Sequence, residues 1–468
     1  MSVSIRWNPI NWNHSDRAFI VLTSFLLTFA LFSNFIRDRL HLAEPPLATL
    51  WGILTGPRCL HAIDPKHWFD VDDLSEELAR IVVGLQVFNV GIELPNHWFG
   101  RNYKSLFMML GPVMLCSYAT TALLVYFVLG TTFETAFIIG ACLAPTDPVL
   151  AASVLGNSHF SKRVPQHIKD LLGAESGAND GVSYPFLYLP ALLLLKATAG
   201  QAVKEWILVT ILYKCGLGLL VGGVIGLSSN RLLRYCLERE LMRPEAFLSY
   251  SLLLALFSTG AGTMLGMDDF LCAFGAGIGF SFDGFFKKHT EQSHLPTVID
   301  LVLNSSFFLY FGAIIPWHQF DDHGLTVVKL VVLLILILVL RRIPGMLLAY
   351  KWVPEIRSLR EALFVGHMGP MGVGAIFLAA SITRELGADF KETGKRHAMK
   401  EAIQLVNPVV SFVVFGSIMV HGLSVGFISF YGHLSRDVED QADMPGAERG
   451  LLEGFSNSDY GSVNSLEA

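Results

Sequence analysis

Long apolar runs separated by short polar clusters recur along the chain, at about the length a bilayer demands. Crossing about 30 Å of hydrocarbon takes roughly 20 apolar residues per helix. Clear runs cover 18–36, 76–95, 104–129, 135–155, 168–195, 206–228, 246–266, 297–316, 325–343, 360–381 and 402–428. Two weaker ones are 46–62, with Pro45 at its edge and Pro46 and Pro57 inside, and the short, Gly-rich 268–282. The pattern predicts an all-α polytopic membrane protein of about 13 spans. The first run lacks the short apolar core and small-residue cleavage site of a signal peptide, so it reads as a retained span.

Composition agrees. Apolar residues make up 52% of the chain and charged ones 16%, against about 25% charged in soluble domains, and the mean hydropathy is +0.49. A soluble enzyme is excluded. The net charge of −6 comes with no basic block, so nucleic acid is not a partner. The six cysteines include no C-x-x-C pair and give neither a disulfide framework nor a zinc site. There is no G-x-x-x-x-G-K-[ST] segment and no H-E-x-x-H, which argues against nucleotide binding and metalloenzyme chemistry. No cofactor is expected.

Basic residues set the expected orientation. Arg37/Arg39, Arg101/Lys104, Lys162/Arg163, Arg231–Arg243, Lys287/Lys288 and Arg341–Arg360 fall on one side, while the loops around 130–134 and 317–324 carry no Lys or Arg. The first side and the C-terminal tail are therefore assigned to the cytoplasm, and the N-terminus to the outside. The loop 382–401 disagrees: it carries Arg384, Lys391, Lys395, Arg396 and Lys400 on the outer side. Its acidic residues Glu385, Asp389, Glu392 and Glu401, or a miscounted span, would account for this. From about Leu434 the tail is polar and acidic and reads as disordered.

Ionisable residues inside spans are costly and point to function. The densest cluster is Glu175-Ser176-Gly177-Ala178-Asn179-Asp180-Gly181. Glu175 and Asn179, like Ser176 and Asp180, are four apart and stack on neighbouring faces of one helix. Small neighbours let other helices approach. Asp180 lies well inside the apolar length and can hold a proton or a cation, while Glu175 reads equally as the partner of an arginine. A second feature, Ala144-Pro145-Thr146-Asp147-Pro148, sits in mid-span. Pro145 breaks the helix, Asp147 looks like an N-cap and Pro148 like the first residue of a new helix. The third, Gly366-His367-Met368-Gly369-Pro370-Met371-Gly372-Val373-Gly374, makes a second discontinuous span. If the run 206–228 is a linker, the two broken spans are the fifth members of two six-span repeats, at about 18–200 and 246–430. Paired interruptions in matching positions point to a transport site at the midplane. His367 could titrate there or serve as a structural donor. Secondary candidates are Glu93, Asp268 and Asp269 at span ends, where headgroup-level roles compete. Arg341 and Arg342 read as a cytoplasmic anchor or as the partner of Glu175.

With these residues in view, 18–430 resembles the fungal plasma-membrane sodium/proton antiporters of the monovalent cation:proton antiporter superfamily. The segments that carry the resemblance are Thr146-Asp147-Pro148-Val149-Leu150, Glu175-Ser176-x-x-Asn179-Asp180-Gly181 and Glu361–Val373. The resemblance implies the NhaA/NhaP-like antiporter fold: two inverted repeats, two crossed discontinuous helices, and a homodimer in which a core domain moves against a dimerisation domain. It makes Asp180 the carboxylate for Na⁺, with Asn179, Thr146 and Ser176 beside it. Asp147, Pro148, Gly369 and Pro370 stabilise the crossing, and Asp268, Asp269 and His367 affect transport. One departure stands out. Animal and plant relatives carry an arginine in the second broken helix that is taken to pair with the equivalent of Glu175, and 361–383 contains none. That ion pair is either replaced or absent.

The expected function is a secondary antiporter, not an enzyme, that exports Na⁺ (and Li⁺) against H⁺ without net charge transfer across the plasma membrane. An endosomal or vacuolar membrane is the alternative location. K⁺/H⁺ or mixed exchange is the rival within the class, and a membrane scaffold or receptor without transport is the rival outside it. The lipid bilayer and a second copy of the chain are the expected partners.

Overall fold

A computed structural model of the chain describes residues 13–40, 42–65, 71–95, 97–148, 150–151, 164–290, 295–389 and 396–443, and no strand occurs among them. The helices are α1 (His14–Asn34), α2 (Glu44–Thr55), α3 (Val71–Glu93), α4 (Trp98–Leu129), α5 (Phe133–Cys142), α6 (Gln166–Leu195), α7 (Ala199–Glu238) and α8 (Pro244–Met264). They continue with α9 (Asp269–Phe280), α10 (Leu295–Ile314), α11 (Val327–Leu340), α12 (Ile343–Ala349), α13 (Leu359–His367), α14 (Val373–Asp389) and α15 (Arg396–Asp443). Among the described residues each apolar run falls largely on helix, the longest stretches outside it being 56–62, 143–147 and 368–372. The expected linker 206–228 is the middle of the longer α7, which holds a π-helical stretch, Trp206–Leu217. α15 runs past Leu434 to Asp443, so the polar tail starts within a helix; 444–468 lie outside the described residues.

The two weak runs are weak for a structural reason. α9 is buried along almost its whole length and needs no lipid-facing surface. Its neighbours approach through glycine: a Cβ on Gly222 or Gly226 of α7 would run into the carbonyl oxygens of Cys272 and Ala276. α2 makes the equivalent approach to α10, where Gly52 faces the Leu309 carbonyl and Gly312 that of Thr49. α2 lies on α10 and α9 on α3, while α5 touches α15 and α14 touches α6.

The anomalous charge of the loop 382–401 is partly neutralised from elsewhere in the chain. Arg384 reaches Glu76 at 2.7 Å and Asp73 at 3.7 Å, both at the start of α3. Lys391 and Lys395 lie outside the described residues.

Candidate functional site

α5 stops at Cys142, and helix resumes at Pro148. Pro145 lies in the gap. Asp147 caps the restart, its Oδ1 accepting from the Leu150 amide at 2.9 Å, and Pro148 occupies the first helical position, where a missing N–H costs nothing. α13 stops at His367, and α14 starts at Val373. The breaks touch: the Asp147 amide donates to the Pro370 carbonyl at 2.8 Å. The Val373 amide, opening α14, donates to Asp147 Oδ2 at 2.7 Å. One carboxylate thus serves the amide ends of two helices, where the partial positive charge of each dipole lies. A Cβ at Gly372 would fall 2.6 Å from Asp147 Cγ, so only glycine lets the carboxylate in.

The carbonyl ends are answered by Arg341. It follows α11 and is buried; its Nη1 donates to the Leu143 carbonyl at 2.5 Å and its Nη2 to the Gly369 carbonyl. Both chain breaks therefore end on one guanidinium, which also matches the negative end of each dipole. Its neighbour Arg342 holds Glu175 through two hydrogen bonds of 2.6 and 2.7 Å and donates from Nε to the Val365 carbonyl at 3.0 Å. The ion pair to Glu175 is therefore present, with the arginine supplied by the segment before the second broken span. Gly369 leaves room for it, since a Cβ there would meet Arg342 Cδ at 2.6 Å. Neither arginine is a surface anchor.

α15 completes the second break. The Met371 amide donates to Ser417 Oγ at 2.8 Å, and His421 Nε2 lies 3.1 Å from the His367 carbonyl. His421 Nδ1 lies 3.0 Å from the Ser417 carbonyl, so the ring faces a backbone acceptor through each nitrogen. The His367 ring stacks on His421. What His367 contributes to this contact is its carbonyl.

On α6, Asn179 donates from Nδ2 to Thr146 Oγ1 at 2.7 Å, and Thr146 and Ser176 share a hydroxyl bond of 2.9 Å. This ties the first break to α6. Asn179 Oδ1 and Asp180 Oδ2 are buried and have no hydrogen-bond partner among the described residues. Gly374 abuts Asp180, where a Cβ would lie 2.8 Å from Cγ. A buried carboxylate oxygen without a partner is costly unless it takes a proton or a cation.

Asp268 is fully buried. It caps α9 by accepting from the Leu271 amide at 2.9 Å, and it lies against Gly181, next to Asp180. Asp269 accepts from Tyr184 at 3.2 Å and from Thr263 at 3.3 Å, and pairs with Arg80 at 3.1 Å. These are interior roles and not headgroup-level ones. Glu93 is apart from the site: its side chain is exposed, and its carbonyl accepts from Lys287 at 2.6 Å. Beyond Asp269 a cavity of about 410 Å³ opens among Glu76, Arg80, Tyr184, Phe377 and Arg384. Tyr184 follows Asp180 by one helical turn, and Phe377 follows Gly374 by about one. Glu76 and Arg80 were legible as a charged pair four apart at the head of the run 76–95, whereas Ser417 and His421 sit in an apolar run with no such pattern.

Interrupted helices that meet near a buried carboxylate in a polytopic bundle are an arrangement found in secondary transporters. The chain belongs to the sodium/hydrogen exchanger family, whose transmembrane domain matches residues 21–431. It is 40% identical over 431 residues to a probable Na⁺/H⁺ antiporter of Schizosaccharomyces pombe, an alignment covering 90% of this chain and 57% of that protein. It is 35% identical over 435 residues to a Na⁺/H⁺ antiporter of the same organism, covering 92% of this chain and 93% of the relative. The chain thus spans little more than half of the first relative. In fold it is similar to MjNhaP1, a sodium proton antiporter of Methanocaldococcus jannaschii, with a TM-score of 0.66 at 17% identity over 88% of this chain and 96% of that one.

Proposed function

We propose that this multi-pass membrane protein exchanges Na⁺, and Li⁺, for H⁺ at Asp180, with sodium leaving the cytoplasm across the plasma membrane. The observation that carries the reading is the pair of unpartnered buried oxygens, Asn179 Oδ1 and Asp180 Oδ2, on adjacent residues of α6. A hard cation takes oxygen ligands, and an ionised carboxylate with an amide oxygen beside it supplies both charge and coordination. The same carboxylate takes a proton when the cation leaves. Cation and proton compete for one group, and that competition couples their fluxes provided the empty, charged site does not cross. Thr146 and Ser176 position the amide, and Asp147 and Arg341 hold the breaks together around it. The names of the fungal relatives support the same reading.

The exchange is electroneutral in this proposal. Asn179 cannot release a proton near neutral pH, and Glu175 is held on both oxygens by Arg342, which leaves Asp180 as the proton carrier. Asp180 faces the two sides of the membrane in turn, and two copies of the chain form a dimer. Reconstitution tests the proposal. In liposomes Na⁺ and Li⁺ drive proton flux, Asp180→Asn folds and inserts but abolishes it, and a K⁺ potential clamped with valinomycin leaves the Na⁺/H⁺ equilibrium unmoved. Robust exchange by well-folded Asp180→Asn protein would overturn the assignment.

A further inference from the structure

One charged network in the bundle has no part in the exchange chemistry. Arg384 of α14 and Arg80 of α3 both bind Glu76 Oε1, each at 2.7 Å. Arg80 Nε continues to Asp269 of α9 at 3.1 Å, and Tyr184 of α6 donates to the same carboxylate at 3.2 Å. Four helices are thereby joined in one chain of contacts. Glu76 and Asp269 are buried, and Arg384 is half-exposed. The network lines the 410 Å³ cavity. The Arg80 guanidinium lies over the Phe377 ring, 5.6 Å from its centroid, and Phe377 packs on Phe270 at 4.6 Å. Phe377 itself is 1% exposed and stands about one turn beyond Gly374, the residue against Asp180. Arg80 and Phe377 thus meet at the wall of the cavity, about one helical turn along α14 from the glycine that abuts Asp180.

We propose that Glu76 is a latch that closes this face of the protein: it draws Arg384 of the second broken span onto Arg80 over Phe377, and releases it whenever Asp180 exchanges ions with the cavity. The inference rests on Asp180 serving both faces in turn. Glu76 is a positioning residue and touches no transported ion. Two arginines sharing one buried carboxylate oxygen form a strong junction while paired, and neutralising the carboxylate leaves both cations without their common partner.

The test is the Michaelis constant for Na⁺ measured separately at each face of oriented proteoliposomes. Apparent affinity scales with the population of the state open to the side measured. Glu76→Gln and Arg384→Gln therefore lower KM at the cavity face and raise it at the opposite face, by about threefold or more. The double variant shifts no further than the stronger single one, because both changes break one contact. A purely structural defect lowers the rate without splitting the two constants. Unchanged constants, constants that move together, or additive effects overturn the latch. Arg384→Gln carries the test alone if Glu76→Gln fails to insert, since Arg384 is half-exposed. Asp180→Asn, run alongside, separates this outcome from failure of the exchange assignment: if that variant still exchanges, the site reading fails and the latch with it.

Discussion

The two broken spans meet at one junction, yet they are built from opposite materials. The first, Leu143–Asp147, brings side chains: Thr146 to the amide of Asn179, and Asp147 to the amides of Leu150 and Val373. The second, Met368–Gly372, brings backbone and room. Its Gly369 carbonyl goes to Arg341, its Pro370 carbonyl to the Asp147 amide and its Met371 amide to Ser417, while Gly369, Gly372 and, two residues on, Gly374 stand where Arg342, Asp147 and Asp180 need space. One half supplies chemistry, and the other supplies a surface against which the chemistry fits. A mid-membrane break exposes amides and carbonyls that no water answers. Here one carboxylate and one guanidinium, both from outside the second break, answer the ends of both.

Substitutions at matched places test this division. The largest effect is expected at Gly374→Ala, which sets a methyl group 2.8 Å from Asp180 Cγ and should abolish Na⁺-driven proton flux although every polar group is intact. Exchange near the wild-type rate would show that the second span yields to side chains, and the contrast would collapse. Asp147→Ala should follow, losing transport and thermal stability together. It removes two helix caps, each typically worth about 1 kcal/mol in water, and leaves buried donors that cost about 1–3 kcal/mol apiece. Thermal unfolding in detergent measures this, and a wild-type melting temperature would contradict the shared cap. Arg341→Met is next. It strips the donor from carbonyls on both sides of the junction but also removes a buried charge whose desolvation opposed folding, so the loss of stability should be smaller than for Asp147→Ala. The smallest effects separate two histidines. His421→Phe removes the ring nitrogens that face the Ser417 and His367 carbonyls and should cost about 1 kcal/mol, whereas His367→Ala keeps its own carbonyl and should cost less. The reverse order would mean that the His367 ring, and not its peptide group, matters.

Much of this site was legible before any coordinates. The proline-flanked Asp147 announces a restarted helix, and four-residue spacing places Ser176, Asn179 and Asp180 together, because both signals are local. Partners far apart in the chain were legible only as alternatives. Arg342 meets Glu175 across 167 positions, and nothing in the run 325–343 tells that two adjacent arginines diverge, one to the junction and one to α6. The reading that offered Arg341 or Arg342 as the partner of Glu175 holds for Arg342, which reaches it from the segment before the second broken span. The glycines of 366–374 were readable as a break, but their second use, as clearance for carboxylates and guanidinium groups, depends on which helix lies opposite. The same limit explains the loop 382–401, whose Arg384 finds its acids on α3.

Clearance also decides where such a protein can change over generations. Gly372 is fixed by Asp147 and Gly374 by Asp180, so these two positions offer selection little to vary. On the proposed reading, heritable adjustment of the ion preferred falls to Thr146, Ser176 and Asn179, whose side chains bond one another. A library randomised at these three positions should yield functional variants with altered Na⁺, Li⁺ and K⁺ preference, while an equal library at Gly369, Gly372 and Gly374 should return almost nothing but glycine.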